Sequence, residues 1–215
     1  MKDTTAYSDA DVSFMRRAIL LGQKRLGKTS PNPAVGCVLV KDGIVIAEAA
    51  TGEGGRPHAE ELALELAGDK AQGATAYVTL EPCHTRSNGG PGCSDRLIAA
   101  RVSRVVSACA DPHPTATDGF AKLKAAGIEV EVGCCAEEAQ DLTAGFFMVM
   151  DHNRPLVGAS QNDEAYDADF FLDRGESFEA ALERMANEGL TRVRVRPNSP
   201  LAMALKAKGL LDLEE

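Results

Sequence analysis

The sequence predicts an α/β protein, a three-layer α/β/α sandwich built on a mixed sheet. Three observations carry that prediction. β-Rich apolar runs (VGCVLV, IVIAEA, ATAYVTL, RVVSACA and IEVEV) recur through the first 150 residues. The first two are separated only by Lys-Asp-Gly, so they read as an antiparallel hairpin. The later runs alternate with segments of helical period, and that alternation makes the rest of the sheet parallel.

The elements follow in order. Residues 9–26 carry Val12, Met15, Ala18, Ile19 and Gly22 at helical spacing, with Ser8 as N-cap. After the break KTSPNP come strands over 35–40 and 44–49, joined at Gly43, which can take a positive φ. The glycine loop TGEGGRP leads into a helix over 58–67 with acidic residues in its first turn. A strand over 74–80 runs into the loop EPCHTRSNGGPGC, and a helix begins at Cys93. Then come a strand over 104–110, the loop DPHPTATD, the helical FAKLKAAG, the strand IEVEV and a helix from Ala136. Ligands of such sheets bind beyond the carboxyl ends of the strands. That rule puts His58, the loop after Leu80 and the loop after Ala110 near one rim.

Residues 1–150 are read as one domain and 151–215 as a short tail. The stretch from His152 to Ser177 is acidic and without a clear period, and it reads as a linker or long surface loop. Helical 178–189, a strand over 191–196 and helical 200–209 follow. So short a tail buries little core alone, and it is expected to pack on the first domain or on a partner subunit.

Composition narrows the function. With 44% hydrophobic and 26% charged residues the chain of 215 residues is globular, not disordered. It has 23 basic against 32 acidic residues, a net charge of −9, 5% aromatics and no Trp. That balance argues against a nucleic-acid partner. No apolar stretch approaches the roughly 20 residues of a membrane span. The N-terminus lacks an apolar signal core, so a cytoplasmic location is expected.

Six cysteines in such a chain serve as metal ligands, reactive thiols or core residues. Cys37 and Cys109 lie in apolar strand runs and read as core. Cys134 and Cys135 are adjacent, an arrangement that rarely ligates one metal. Cys83 and Cys93 remain, both in a Pro/Gly-rich loop. Together with His58 they make a His and two thiolates, the donor set of a catalytic zinc with one position open. Glu60 stands two residues after His58 and can carry a proton in the same pocket without being a ligand. His-Ala-Glu followed by Pro-Cys is the signature of zinc-dependent nucleobase deaminases.

In order, TSPNPAVGCVLVKDG, GGRPHAE, ATAYVTLEPC, a second Cys after a Gly/Pro loop, ADPHP and LKAAGIEVEVG complete a pattern. It resembles the pyrimidine deaminase domain of the bifunctional deaminase/reductase family of riboflavin biosynthesis, which has the cytidine-deaminase-like fold. The resemblance covers about residues 10–150. Cys83 and Cys93 are ten positions apart, close to that family and unlike the Cys-x-x-Cys of nucleoside and tRNA deaminases.

The resemblance implies Zn2+ held by His58, Cys83 and Cys93, with Glu60 as proton shuttle. It implies that Asn32 hydrogen-bonds the base and that Ala59 offers backbone contacts to the ring. Asp111, His84 and Arg86 are expected in the substrate pocket, with Arg56 or Arg86 supplying a cation for a phosphate. The implied reaction is hydrolytic deamination of diaminohydroxyphosphoribosylaminopyrimidine, a small-molecule nucleotide. Two alternatives are a zinc deaminase of another aminated heterocycle (purine, pterin or modified pyrimidine) and a catalytically retired binding paralogue. A homo-oligomer is expected, because the short tail and apolar helices need a surface to cover.

The chain also departs from the family. Thr51 stands where the family has a His, seven positions before His58. The loop PCHTRSNGGPGC is one residue longer than the family's, His113 replaces an Asn, and TDG replaces Gly-Lys-Gly. RPLVGAS (154–160) and SPLAMALKAKGLLDLEE resemble the opening and closing segments of the family's reductase domain. The tail reads as a shrunken remnant of it, expected to lack reductase activity.

Overall fold

The computed structural model describes residues 7–86, 89–112 and 118–214. Two expectations fall outside them: the N-terminal reading at residues 1–6, and His113 with the loop through Thr117. The chain divides into two compact units. The first takes Met1–Gly22, Val35–Thr51 and Pro57–Gln140, and the second takes Gln23–Ala34, Gly52–Arg56 and Asp141–Glu215.

The first unit opens with α1 (Asp9–Gln23), which buries Met15, Ala18, Ile19 and Gly22 as the helical period requires. Ser8 Oγ accepts the Asp11 N–H at 3.1 Å and the Asp11 carboxylate accepts the Ser8 N–H at 3.2 Å, a reciprocal cap. β1 (Gly36–Lys41) and β2 (Ile44–Ala50) form the expected hairpin. Asp42 and Gly43 turn it with positive φ of 53° and 74°, matching the right-handed twist of the strands. α2 (Ala59–Ala67), β3 (Thr75–Leu80), α3 (Cys93–Ala99), β4 (Arg104–Cys109), α4 (Gly119–Ala125), β5 (Glu129–Val132) and α5 (Ala136–His152) follow.

The strands stand in the order β2-β1-β3-β4-β5. β1 runs antiparallel to β2 and β3, while β3, β4 and β5 are parallel, so the sheet is mixed. β1, β3 and β4 are buried almost throughout, which requires cover on both faces. Cys37 is a core residue, as expected. A polar cluster ties the far side of this sheet to α1. The Tyr77 hydroxyl and the Arg104 guanidinium both donate to Asp11 Oδ1, at 2.8 and 2.7 Å, and Arg104 also pairs with Glu131 at 2.6 Å.

The second unit builds a four-stranded parallel sheet, β7-β8-β6-β9. Its strands are β6 (Leu156–Ala159), β7 (Ala168–Asp169), β8 (Arg192–Val195) and β9 (Leu213–Glu214). α6 (Phe178–Asn187) and α7 (Pro200–Ala207) are capped by Ser177 and Ser199, each accepting a backbone N–H at 3.1 Å. Val157, Leu182, Met185, Val193 and Leu205 form its core.

Two sequence expectations change here. The stretch read as a linker contains β6 and β7, strands of four and two residues that are too short to show a period. The domain boundary shifts as well: the unit that holds the tail begins at Asp141 and takes in residues 23–34 and 52–56. One consequence is at Gly27, where an added Cβ would lie 2.6 Å from the Tyr166 carbonyl oxygen. Among the described residues no helix is long and apolar enough to cross a membrane.

Candidate active site and metal centre

The site forms where β3 ends and α2 and α3 begin. α2 packs on β1 and β2 through Ala59, Glu60, Ala63 and Ala67, all buried. The small alanines let the helix approach the sheet closely. His58 is its N-cap in extended conformation (φ −70°, ψ 157°) and makes no side-chain capping bond.

α3 starts at Cys93, its N-cap being Gly92. The Asp95 carboxylate accepts the Gly92 N–H at 3.1 Å and pairs with Lys122 at 2.6 Å, fixing the entry of the chain. Only glycine fits at 92, because a Cβ there would lie 2.4 Å from the His84 carbonyl oxygen. The return loop from Cys83 is held by Ser94, whose N–H and hydroxyl donate to the Cys83 carbonyl at 3.2 and 3.0 Å.

These elements bring three ligand atoms together. His58 Nδ1 lies 3.2 Å from Cys93 Sγ and 3.8 Å from Cys83 Sγ, and all three donor atoms lie within 4.8 Å of one another. The Cys93 N–H donates to Cys83 Sγ at 3.3 Å. The Cys83 thiol is pulled down to about 4 by a hydrogen bond from the Cys93 thiol, against its burial, with His58 and the Cys93 N–H adding to the pull. The same bond, with burial, holds Cys93 well above the ordinary thiol value. One imidazole nitrogen and two sulfurs converging at this spacing fit a tetrahedral metal with a fourth position open.

Glu60 is 4% exposed. Burial pushes its carboxyl up from the ordinary value, with the His58 charge working in the opposite direction. It therefore sits as a buried carboxyl beside the His58, Cys83 and Cys93 cluster. Ala59 is fully buried at the first turn of α2.

The remaining expected residues are placed less uniformly. The Arg86 side chain is 6% exposed. It pairs with Glu61 at 2.8 Å, and the same Nη2 lies 3.8 Å from Cys93 Sγ. His84 Nδ1 is buried without a hydrogen-bond partner. Asp111 is buried and its N–H donates to Glu81 Oε2 at 3.3 Å. Asn32 belongs to the second unit, where its N–H closes a turn on the Thr29 carbonyl at 2.9 Å. Its side chain lies against Gly55, where an added Cβ would come 2.2 Å from Nδ2. Thr51 is buried at the end of the β1–β2 hairpin, its hydroxyl accepting the Val35 N–H at 3.0 Å.

Two residues escaped the sequence reading. Glu81 receives backbone N–H groups from Asp111 and Phe120, and its position directly before Pro-Cys was the available signal. Glu61, three residues after His58, holds Arg86 and Arg96 on its two oxygens. A glutamate in the first turn of a helix is too common to mark this role.

Comparison with known proteins agrees with this geometry. Residues 8–109 match the cytidine and deoxycytidylate deaminase zinc-binding region. The riboflavin biosynthesis protein RibD of Aquifex aeolicus is 46% identical over 150 residues, which are 69% of this chain and 42% of that protein. The chain thus spans about two fifths of that relative's length. The diaminohydroxyphosphoribosylamino-pyrimidine deaminase of Buchnera aphidicola is 43% identical over 141 residues, 65% of this chain and 95% of that protein. The structure of Acinetobacter baumannii RibD (form 2) aligns with a TM-score of 0.67 at 30% identity, over 96% of this chain and 80% of that one. By the Buchnera match above all, the chain belongs to the deaminase family of riboflavin biosynthesis, on the cytidine-deaminase fold.

Proposed function

We propose that the chain is a zinc-dependent hydrolase that deaminates diaminohydroxyphosphoribosylaminopyrimidine. The observation that carries this reading is the convergence of His58, Cys83 and Cys93 within 4.8 Å beside the buried Glu60. The name of the Buchnera relative supports the substrate, and that of the Aquifex relative the pathway.

Zinc at these three residues would supply Lewis acidity and a lowered pKa for water at its open position. The rest falls to the chain. Glu60 takes a proton from the attacking water at its carboxylate and returns it to the departing amine, as its raised pKa allows. Water adds to the amine-bearing ring carbon, the carbon–nitrogen bond breaks and ammonia leaves. Burial of Glu60 and Ala59 keeps bulk water from competing for that proton. The Ala59 backbone reads the ring, and Asp111 and His84 complete its pocket. The guanidinium of Arg86 is committed to Glu61 and Cys93. The proposal includes a cytoplasmic homo-oligomer. Exposed Leu20 and Leu66 support the assembly.

A second reading, deamination of another aminated heterocycle, draws on the loop 84–92, rebuilt around the Arg86–Glu61 pair. A substrate panel separates the two. The zinc-loaded protein should release ammonia from the riboflavin-pathway pyrimidine and from no purine, pterin or cytidine nucleotide. Release only from one of the others would replace the leading substrate.

A further inference from the structure

Arg86 was expected to meet the substrate, yet its surroundings are those of a residue that serves the metal ligands. Its side chain is 6% exposed, and one nitrogen, Nη2, faces both Glu61 Oε2 at 2.8 Å and Cys93 Sγ at 3.8 Å. Glu61 is anchored in turn, its other oxygen pairing with Arg96 of α3 at 2.7 Å. Glu61 and the ligand His58 frame the first turn of α2, while Cys93 opens α3 and Arg96 lies in its last turn. The guanidinium thus closes a bridge from one ligand-bearing helix to the other and ends on a ligand sulfur.

We infer that Arg86 is a positioning residue for the Cys93 thiolate. It donates to the sulfur, draws off part of its negative charge, and so leaves a bound metal a stronger Lewis acid. Two thiolates and a neutral imidazole already cancel a divalent charge, and Glu60 and Glu61 lie close by. A centre so rich in negative charge polarises water poorly unless a neighbouring cation offsets it. Arginine suits the task, because a single guanidinium nitrogen carries two N–H groups and can hold Glu61 while facing the sulfur. The inference rests on reading His58, Cys83 and Cys93 as metal ligands.

Cobalt(II) in place of zinc tests it on the full chain, because a thiolate ligand gives a sulfur-to-cobalt charge-transfer band that reports the sulfur's electron density directly. Arg86→Ala should move that band to longer wavelength, since an undonated sulfur gives up its electron more easily. Arg86→Lys should restore most of the wild-type position. Glu61→Gln, which leaves Arg86 in place but loosens its anchor, should shift the band the same way by less. Arg96→Gln loosens the same carboxylate at one further remove and should shift the band least of these variants. With zinc restored, kcat of Arg86→Ala should fall by about 10- to 100-fold, the range for partners of metal ligands, with KM little changed. An unmoved band in Arg86→Ala, or a rise in KM at constant kcat, would overturn the inference and return Arg86 to substrate binding. A wild-type protein that binds no cobalt would overturn the ligand assignment itself, and the inference with it.

Discussion

Glu81 accepts the Phe120 N–H at 3.0 Å through Oε1, and its Oε2 takes the Asp111 N–H at 3.3 Å. One buried carboxylate at the end of β3 therefore pins the chain where it leaves β4 and again where α4 begins. The contact is close enough to require glycine next door, since a Cβ on Gly119 would lie 1.9 Å from the Pro82 carbonyl oxygen. Glu81→Ala strands two backbone donors, and each buried unsatisfied donor costs about 1–3 kcal/mol. Denaturant unfolding should show a loss of that order. Zinc content should stay at wild type, because the Glu81 carboxylate is spent on the Asp111 and Phe120 N–H groups, while KM rises as Asp111 loses its support. An unchanged KM would separate Asp111 from the substrate pocket.

Acid should loosen the first unit through Asp11. Burial works to raise that carboxyl's pKa, but hydrogen bonds from Arg104, Ser8 and Tyr77 outweigh it and hold Asp11 well below the usual carboxylate range. A group depressed on folding contributes stability that is complete above its unfolded value, about 3.9. The contribution then drains away as pH falls from there toward the folded value. Stability of the wild type should decline below about pH 4, and Asp11→Asn should be less stable at neutral pH with a flatter acid limb. Parallel acid limbs in urea titrations from pH 6 to 2 would contradict the assignment.

α1 and β1 meet at a contact that admits no side chain. A Cβ on Gly36 would sit 1.8 Å from the Ala18 carbonyl oxygen, and both partners are backbone. Gly36→Ala must push the helix off the sheet, at a cost of about 1–3 kcal/mol or more. Gly43→Ala is the control. Its Cβ would meet nothing within 4 Å, although φ is 74° there, so only the smaller left-handed strain applies. Circular dichroism melts should order the two variants with Gly36→Ala clearly the less stable.

Much of the first unit could be read directly. Its strands are β-branched runs bounded by Gly, Pro and Asp, and α1 carries an unbroken apolar stripe, so local preference and final fold agree. The candidate metal cluster was legible for a related reason. His58, Glu60, Cys83 and Cys93 sit at the boundaries of those elements, and their residue types have few other uses in combination. Asp42 shows the same agreement, taking the positive φ that the hairpin turn demands.

What escaped depends on distance along the chain. Residues 23–34 and 52–56 fold with the C-terminal unit, and no local pattern announces a partner more than 100 positions away. β7 and β9 have two residues each, below any detectable period. Arg86 was recognisable as a cation, but its attachment to Glu61 and Cys93 exists only once α2 and α3 stand side by side.

The most direct test of the account is ammonia release by zinc-loaded protein from the riboflavin-pathway pyrimidine, comparing wild type with Glu60→Gln at matched zinc content. Glu60 is buried beside the ligands and is not one of them, so the variant should bind one zinc per chain and keep the fold. Its turnover should fall at least as far as the about 10²–10⁴-fold typical of a lost general acid–base group. A Glu60→Gln protein that turns over like wild type would contradict the mechanism at its centre.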